Sequence, residues 1–178
     1  MIEATQCRLR PLETTDVEVF YHWLQDRDVT RYSVTQFTKP QSKGALIQWL
    51  ASINEQRNAV SLGIECKHSN RLIGYAGLVG ISDINHSAEY FILIGDKQYW
   101  GRGIATEVTR MVTQYGFSSL NLHRVELTAF TTNPAAQRAY EKAGFQHEGV
   151  LRQSGYRDGA YHDKVMMAAL ANEWNNDQ

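Results

Sequence analysis

Two short stretches and one isolated carboxylate hold the residues of this chain that are equipped for chemistry. The first stretch is Gln98-Tyr99-Trp100-Gly101-Arg102-Gly103-Ile104-Ala105-Thr106. Glycines at the start of a helix let a ligand approach the backbone with no Cβ between them. The first N–H groups of a helix lack internal partners, and the helix dipole adds partial positive charge there. That combination holds phosphate. The second stretch is Asn133-Pro134-Ala135-Ala136-Gln137-Arg138-Ala139-Tyr140-Glu141-Lys142-Ala143-Gly144-Phe145, which carries an amide, a phenol and two cations. The carboxylate is Glu89, at the head of an apolar strand. Half-burial there raises a carboxyl pKa toward the range of a general base.

Each of these residues also has a plainer reading. Ala136, Ala139, Tyr140 and Ala143 fall at helical spacing, so Tyr140 reads equally as packing. Glu89 reads as an exposed strand carboxylate, Asn133 as an N-cap, and Arg102 and Arg138 as solvated side chains. The six histidines (His22, His68, His86, His123, His147, His162) show no metal-ligand spacing, and no metal is expected. Cys7 and Cys66 form no disulfide framework and read as free thiols. Neither has a visible histidine partner, so no covalent acyl-enzyme is expected.

The elements that must position these groups follow from periodicity. Gln6 to Leu12 alternates as a strand. Thr15 and Glu18 fit a capping box ahead of a helix carrying Val17, Phe20, Trp23 and Leu24 on one face. After a loop over residues 33–40, Leu46, Ile47, Leu50 and Ile53 mark a second helix. Strands follow at Val60–Glu65, Leu72–Ile81 and Ala88–Ile94, separated by turns at His68-Ser69-Asn70 and Asp83-Ile84-Asn85. The helix after the glycines has an apolar stripe at Ile104, Val108, Met111, Val112 and Tyr115. Another strand spans Arg124–Thr131. Asn133 caps the next helix, Pro134 takes its first position and Gly144 ends it. Strands near Phe145–Leu151 and Tyr161–Leu170 close the chain. This order predicts a mixed α/β fold: a central, mostly antiparallel sheet of about seven strands flanked by about four helices.

With 178 residues, three prolines and no low-complexity linker, residues 1–178 read as a single domain. A net charge of −1 lacks the basic footprint of a nucleic-acid binder. Met1 to Arg10 has no apolar run and no segment reaches the length of a membrane span, so a cytoplasmic chain with no membrane partner is expected.

Gly101-x-Gly103 alone is a weak signal. A dinucleotide fingerprint needs a small residue where Thr106 stands and a strict βαβ setting, and the preceding strands read as a meander. A P-loop lacks its Gly-Lys-Ser/Thr. Read with the second stretch, however, the loop resembles the GCN5-related N-acetyltransferase (GNAT) superfamily. That family's Gln/Arg-x-x-Gly-x-Gly/Ala loop is matched by Gln98, Gly101 and Gly103. Its second signature is an Asn at a helix start, a Tyr seven residues on and then Glu-Lys-x-Gly-Phe; Asn133, Tyr140 and Glu141 to Phe145 match it. Leu9-Arg10-Pro11-Leu12, Trp23-Leu24, Glu148-Gly149-Val150-Leu151-Arg152 and Asp158-Gly159-x-Tyr161-x-Asp163 are similar to the branch containing the ribosomal-protein N-terminal acetyltransferases.

The resemblance implies an acetyl-CoA-dependent N-acetyltransferase in which a primary amine attacks the thioester directly. Such amines are mostly protonated at neutral pH, so a base or water chain must take a proton. It implies Tyr140 beside the CoA sulfur as the acid and Glu89 as the base or amine binder. Backbone groups of Phe91, Ile92 and Leu93 would face the acetyl group and pantetheine. The loop of Gln98, Gly101, Arg102, Gly103, Ala105 and Thr106 would cradle the pyrophosphate. Asn133 would meet the pantetheine and Arg138 the 3′-phosphate side. Trp23, Tyr32 and Phe37 fall where relatives build the acceptor wall, and His86 and His162 are weaker candidates for it. The acceptor is left open: a protein N-terminus, or a small amine such as a polyamine, amino sugar or aminoglycoside. Relatives that dimerise make a homodimer an open expectation. A non-catalytic acyl-CoA-binding module on the same fold is the alternative.

Overall fold

The computed structural model describes residues 2–33 and 35–174. Its elements run β1 (Ile2–Glu3), β2 (Cys7–Pro11), α1 (Val17–Leu24), α2 (Arg27–Thr30), α3 (Lys43–Ile53), β3 (Val60–Cys66), β4 (Leu72–Ser82), β5 (Ser87–Ile94), α4 (Ile104–Ser119), β6 (Arg124–Phe130), α5 (Pro134–Ala143), β7 (Gln146–Arg157) and β8 (Ala160–Leu170). Short 3₁₀ turns precede α1, α3 and α4. One sheet takes the order β1-β2-β3-β4-β5-β6-β8-β7, and every neighbouring pair is antiparallel except β5 and β6.

β4 explains why the sheet needs helices on both faces. Every residue from Leu72 to Leu78 is buried. A strand covered on both sides reads as a continuous apolar run. On one face α4 and α5 bring Ile104, Val108, Val112, Tyr140 and Ala143 against Ile73, Leu78 and Tyr90. On the other, α1 and α3 bring Phe20, Trp23, Leu46, Leu50 and Ile53 against Leu72, Tyr75 and Leu93. Here Phe20, Trp49, Phe37 and Phe91 surround Tyr75 with ring centroids 5.1 to 6.1 Å away. Such aromatic pairs add about 0.5–1.5 kcal/mol each beyond the area they bury.

The parallel pair is where the sheet opens. β5 and β6 are in register only from Ser87↔Arg124 to Glu89↔Glu126. Beyond Glu89, β5 continues to Ile94 on β4, while β6 continues to Phe130 on β8. A wedge separates the two strands, and α5 returns beside it.

Several local expectations are revised. β1 and the one-turn α2 are too short to show a period. The first helix is not entered through Thr15 and Glu18: Glu13 N–H donates to Asp16 Oδ2 at 2.9 Å, and α1 starts at Val17. The buried face of α4 turns toward Thr109, Thr113 and Gly116, leaving Met111 and Tyr115 only partly covered. Thr109 is tolerated there because its Oγ1 lies 3.0 Å from the Tyr90 hydroxyl and 2.6 Å from the Ala105 carbonyl oxygen. β7 does not stop at Leu151. A register shift between Leu151 and Gly155 carries it on to Arg157, as β-bulges do. Val34, within the expected loop over 33–40, lies outside the described residues. No helix among them is long and apolar enough to cross a membrane, and none of their His, Cys, Asp and Glu side chains cluster as metal ligands.

Candidate active site

Two cavities flank the wedge. The first, of about 580 Å³, lies between the start of α4 and α5. Asp96 caps the 3₁₀ turn over Lys97–Tyr99, its Oδ1 accepting from Gln98 N–H at 3.0 Å. Gly101 and Gly103 follow at φ +72° and +79°, left-handed values that side chains other than glycine adopt only under strain. No atom lies within 4 Å of a Cβ built on either, so the space before the loop is clear. Gly103 is the N-cap of α4 and offers no side-chain cap, which leaves the amides of the first turn facing the cavity. Arg31, Arg102, Arg138 and Lys142 line it against a single acid, Asp28. Arg102 also rests over the Tyr99 ring, 5.3 Å from its centroid.

The second cavity, of about 400 Å³, lies on the other side of the wedge. Trp49, Tyr75 and Phe91 give it an aromatic floor, and Glu89, Thr128, Arg157 and Lys164 give it polar walls. Tyr32, Ile92, Asn133, Ala136 and Tyr140 line both cavities, so the two meet at these five residues. α5 and its cap set three of them, Asn133, Ala136 and Tyr140. The Asn133 side chain accepts from Ala136 N–H at 3.3 Å, and Tyr140 lies two turns on. Tyr32 is tied in by its hydroxyl, which donates to the Thr132 carbonyl oxygen at 2.9 Å.

The ionisable groups are shifted by this setting. Burial pushes the Tyr140 phenol up to about 12. Its ring stands edge-on to Tyr90, centroids 6.3 Å apart, and its hydroxyl makes no hydrogen bond among the described residues. Glu89 opens to solvent within the cavity, yet its pKa is raised. Loss of water is the first cause and the Glu126 carboxylate, opposite it in register, the second, while Lys164 pulls the other way.

Most of the expected residues converge here. Glu89, Ile92, Leu93, Gly101, Arg102, Gly103, Ala105, Thr106, Asn133, Arg138 and Tyr140 line one or both cavities. One side chain expected on the donor side lies apart from it. Gln98 is exposed and lines neither cavity, because the capped 3₁₀ turn presents Tyr99 and Trp100 to the wall instead. Phe91 lines only the second cavity, its ring 5.1 Å from Tyr75. Trp23 and Phe37 are core residues, whereas Tyr32 does reach the junction. His86 and His162 line neither cavity. Arg157 and Lys164 were not anticipated: they lie beyond both motifs, and only the extended β7 and its pairing with β8 bring them to the site.

The family description Acetyltransferase (GNAT) domain matches residues 6–146. This chain belongs to the GNAT acetyltransferases. It is 32% identical over 166 residues to the uncharacterized N-acetyltransferase YoaA of Bacillus subtilis, covering 92% of each chain. It is 29% identical to the spermidine N(1)-acetyltransferase of Vibrio cholerae over 97% of each. The crystal structure of that organism's spermidine N-acetyltransferase with CoA and spermine superposes with a TM-score of 0.84, over 96% of this chain and 98% of the other. The putative ribosomal N-acetyltransferase YdaF of B. subtilis is 31% identical over 68% of this chain. The GNAT member has the mixed α/β fold of the family and acetyl-CoA as its acyl donor. The first cavity fits that donor: open glycines, uncapped helix amides and a surplus of cations suit a pyrophosphate and a 3′-phosphate.

Proposed function

We propose that this GNAT enzyme N-acetylates a primary amine, a small molecule or a protein N-terminus, by direct attack across the junction of the two cavities. The observation that carries this is the position of Tyr140, shared by a phosphate-suited cavity and a second cavity walled by Glu89. Acetyl-CoA supplies the acetyl group, so that an N–C bond forms as the C–S bond breaks and CoA leaves as its thiol. Glu89 takes a proton from the amine, a task its raised pKa suits. Tyr140 keeps its proton at all physiological pH values and donates it, or a hydrogen bond, on the leaving side. Ile92, Leu93 and Asn133 position the donor's arm, and the amides of Gly103, Ala105 and Thr106 hold its pyrophosphate, with Arg102 and Arg138 adding charge.

A cavity of about 400 Å³ is of small-molecule size. Relatives named for spermidine acetylation support the small-amine side of this reading. The single sheet supports one domain over residues 1–178. The homodimer belongs to the same proposal, with the exposed Val150, Leu151 and Tyr156 of edge strand β7 as its face; light scattering that returns a monomer removes it. Thiol release from acetyl-CoA across an amine panel, with CoA binding followed by calorimetry, tests the enzyme as a whole. No binding and no release with any amine sinks the reading.

A further inference from the structure

The second cavity has an unusual charge balance for a site that takes an amine. Two other partly buried arginines are neutralised. Arg10 pairs with Asp16 at 2.8 Å and with Glu65 at 2.7 Å, and Arg124 pairs with Glu148 at 2.6 Å. Arg157 and Lys164 have no such partner among the described residues. Arg157 donates to the Ser33 carbonyl oxygen at 3.0 Å and to that of Tyr156 at 2.8 Å, but its buried Nε finds no acceptor. Both cations pack on the Phe130 ring, at 5.1 and 4.9 Å from its centroid. Together they face one carboxylate, Glu89.

Leaving two cations half out of water against one cavity carboxylate costs stability unless a ligand supplies more negative charge. Burial acts on both: loss of water lowers the Arg157 pKa against the pull of Asp158, and the Lys164 pKa is lowered first by loss of water and then by Arg157, against the pull of Glu89. A polyamine would add its second positive charge to this repulsion. An anion would relieve it, and the guanidinium fork suits a carboxylate or phosphate oxygen pair. Glu89 and Tyr140 remain free for the amine end.

We propose that the acceptor is a small molecule carrying an anionic group, a carboxylate or a phosphate, beside the amine that is acetylated, with Arg157 and Lys164 holding that group. Arg157 and Lys164 are thereby specificity-determining residues of the second cavity. This rests on the acetyl-transfer reading above and narrows its acceptor.

The test measures thiol release by the full chain with α- and ω-amino acids, each paired with its uncharged carboxamide, and with aminoalkyl phosphonates and spermidine. For the best substrate, kcat/KM for the acid should exceed that for its amide by about 10- to 100-fold, the range for a hydrogen bond to a charged group. The phosphonate arm decides between carboxylate and phosphate. Lys164→Gln and Arg157→Gln should bring the acid-to-amide ratio toward one, whereas Arg157→Lys should keep most of it. A ratio needs only the folded fraction, so partial misfolding leaves it readable. Spermidine as the best substrate, or amides matching their acids throughout, overturns the proposal and leaves the acetyltransferase standing. A chain that binds CoA yet turns over none of these amines also overturns it. Failure to bind CoA or release any thiol removes both.

Discussion

The two cavities are built in opposite ways. The donor side draws its phosphate-binding groups from one loop and helix start, residues 101–106, with α5 as its second wall. It uses backbone amides and the absence of side chains. The acceptor side gathers single side chains from β3, β4, β5, β6, α3, α5, β7 and β8. A ligand common to a whole family can be held by main chain, which leaves a contiguous motif. A ligand particular to one enzyme is recognised by side chains scattered along the sequence. Tyr140 belongs to both sides.

That contrast can be broken or sharpened by substitution. The largest effect is expected at the shared residue: Tyr140→Phe should lower kcat by roughly 100-fold with little change in acetyl-CoA affinity. Its hydroxyl bonds to no described residue, so folding should survive. Unchanged turnover would take Tyr140 out of the mechanism. Next is the donor loop. A β-branched side chain at φ +79° is strained, so Gly103→Val should raise the acetyl-CoA KM by about 10- to 100-fold for every amine alike. A change that depends on the amine would erase the division between the cavities.

Glu89→Gln should lower kcat at neutral pH by about 10-fold, the modest loss of a base whose proton water can also carry. Glu89 works deprotonated, so the rate should climb with pH through a value above the ordinary carboxylate range, and the variant should lose that limb. The stability sign is opposite. A carboxyl with a raised folded pKa favours the native state below that pKa and loses this as pH rises through it. At neutral pH, Glu89→Gln should therefore melt no lower than the parent. A lower Tm would mark Glu89 as structural. The smallest effects belong to exposed cations. Arg102→Ala and Arg138→Ala should raise the acetyl-CoA KM about two- to five-fold, less at high salt. Equal effects at low and high salt would argue against a phosphate partner.

Much of this was legible in one dimension. Gly101, Gly103 and the Asn133 cap announce themselves because a left-handed backbone and an uncapped helix start demand particular residues locally. Gln98 misled, since a motif position says nothing of the 3₁₀ turn that Asp96 imposes on it. The Phe91 ring lies on the acceptor side against Tyr75, which its place in the strand did not signal. Arg157 and Lys164 gave no signal at all, being an ordinary strand-end arginine and strand lysine until β7 continues past its bulge.

By itself, then, the sequence determined the fold class, because that depends on periodic burial, while the donor and the candidacy of Tyr140 came from the resemblance that the two motifs carry together. The wedge between β5 and β6, the pairing of Glu89 with Glu126, and the two cations across from them were decided only in three dimensions. They arise where β6 comes into register with β5 and with β8, strands that lie far from it in the chain, and no local pattern encodes which side chains that register will bring face to face.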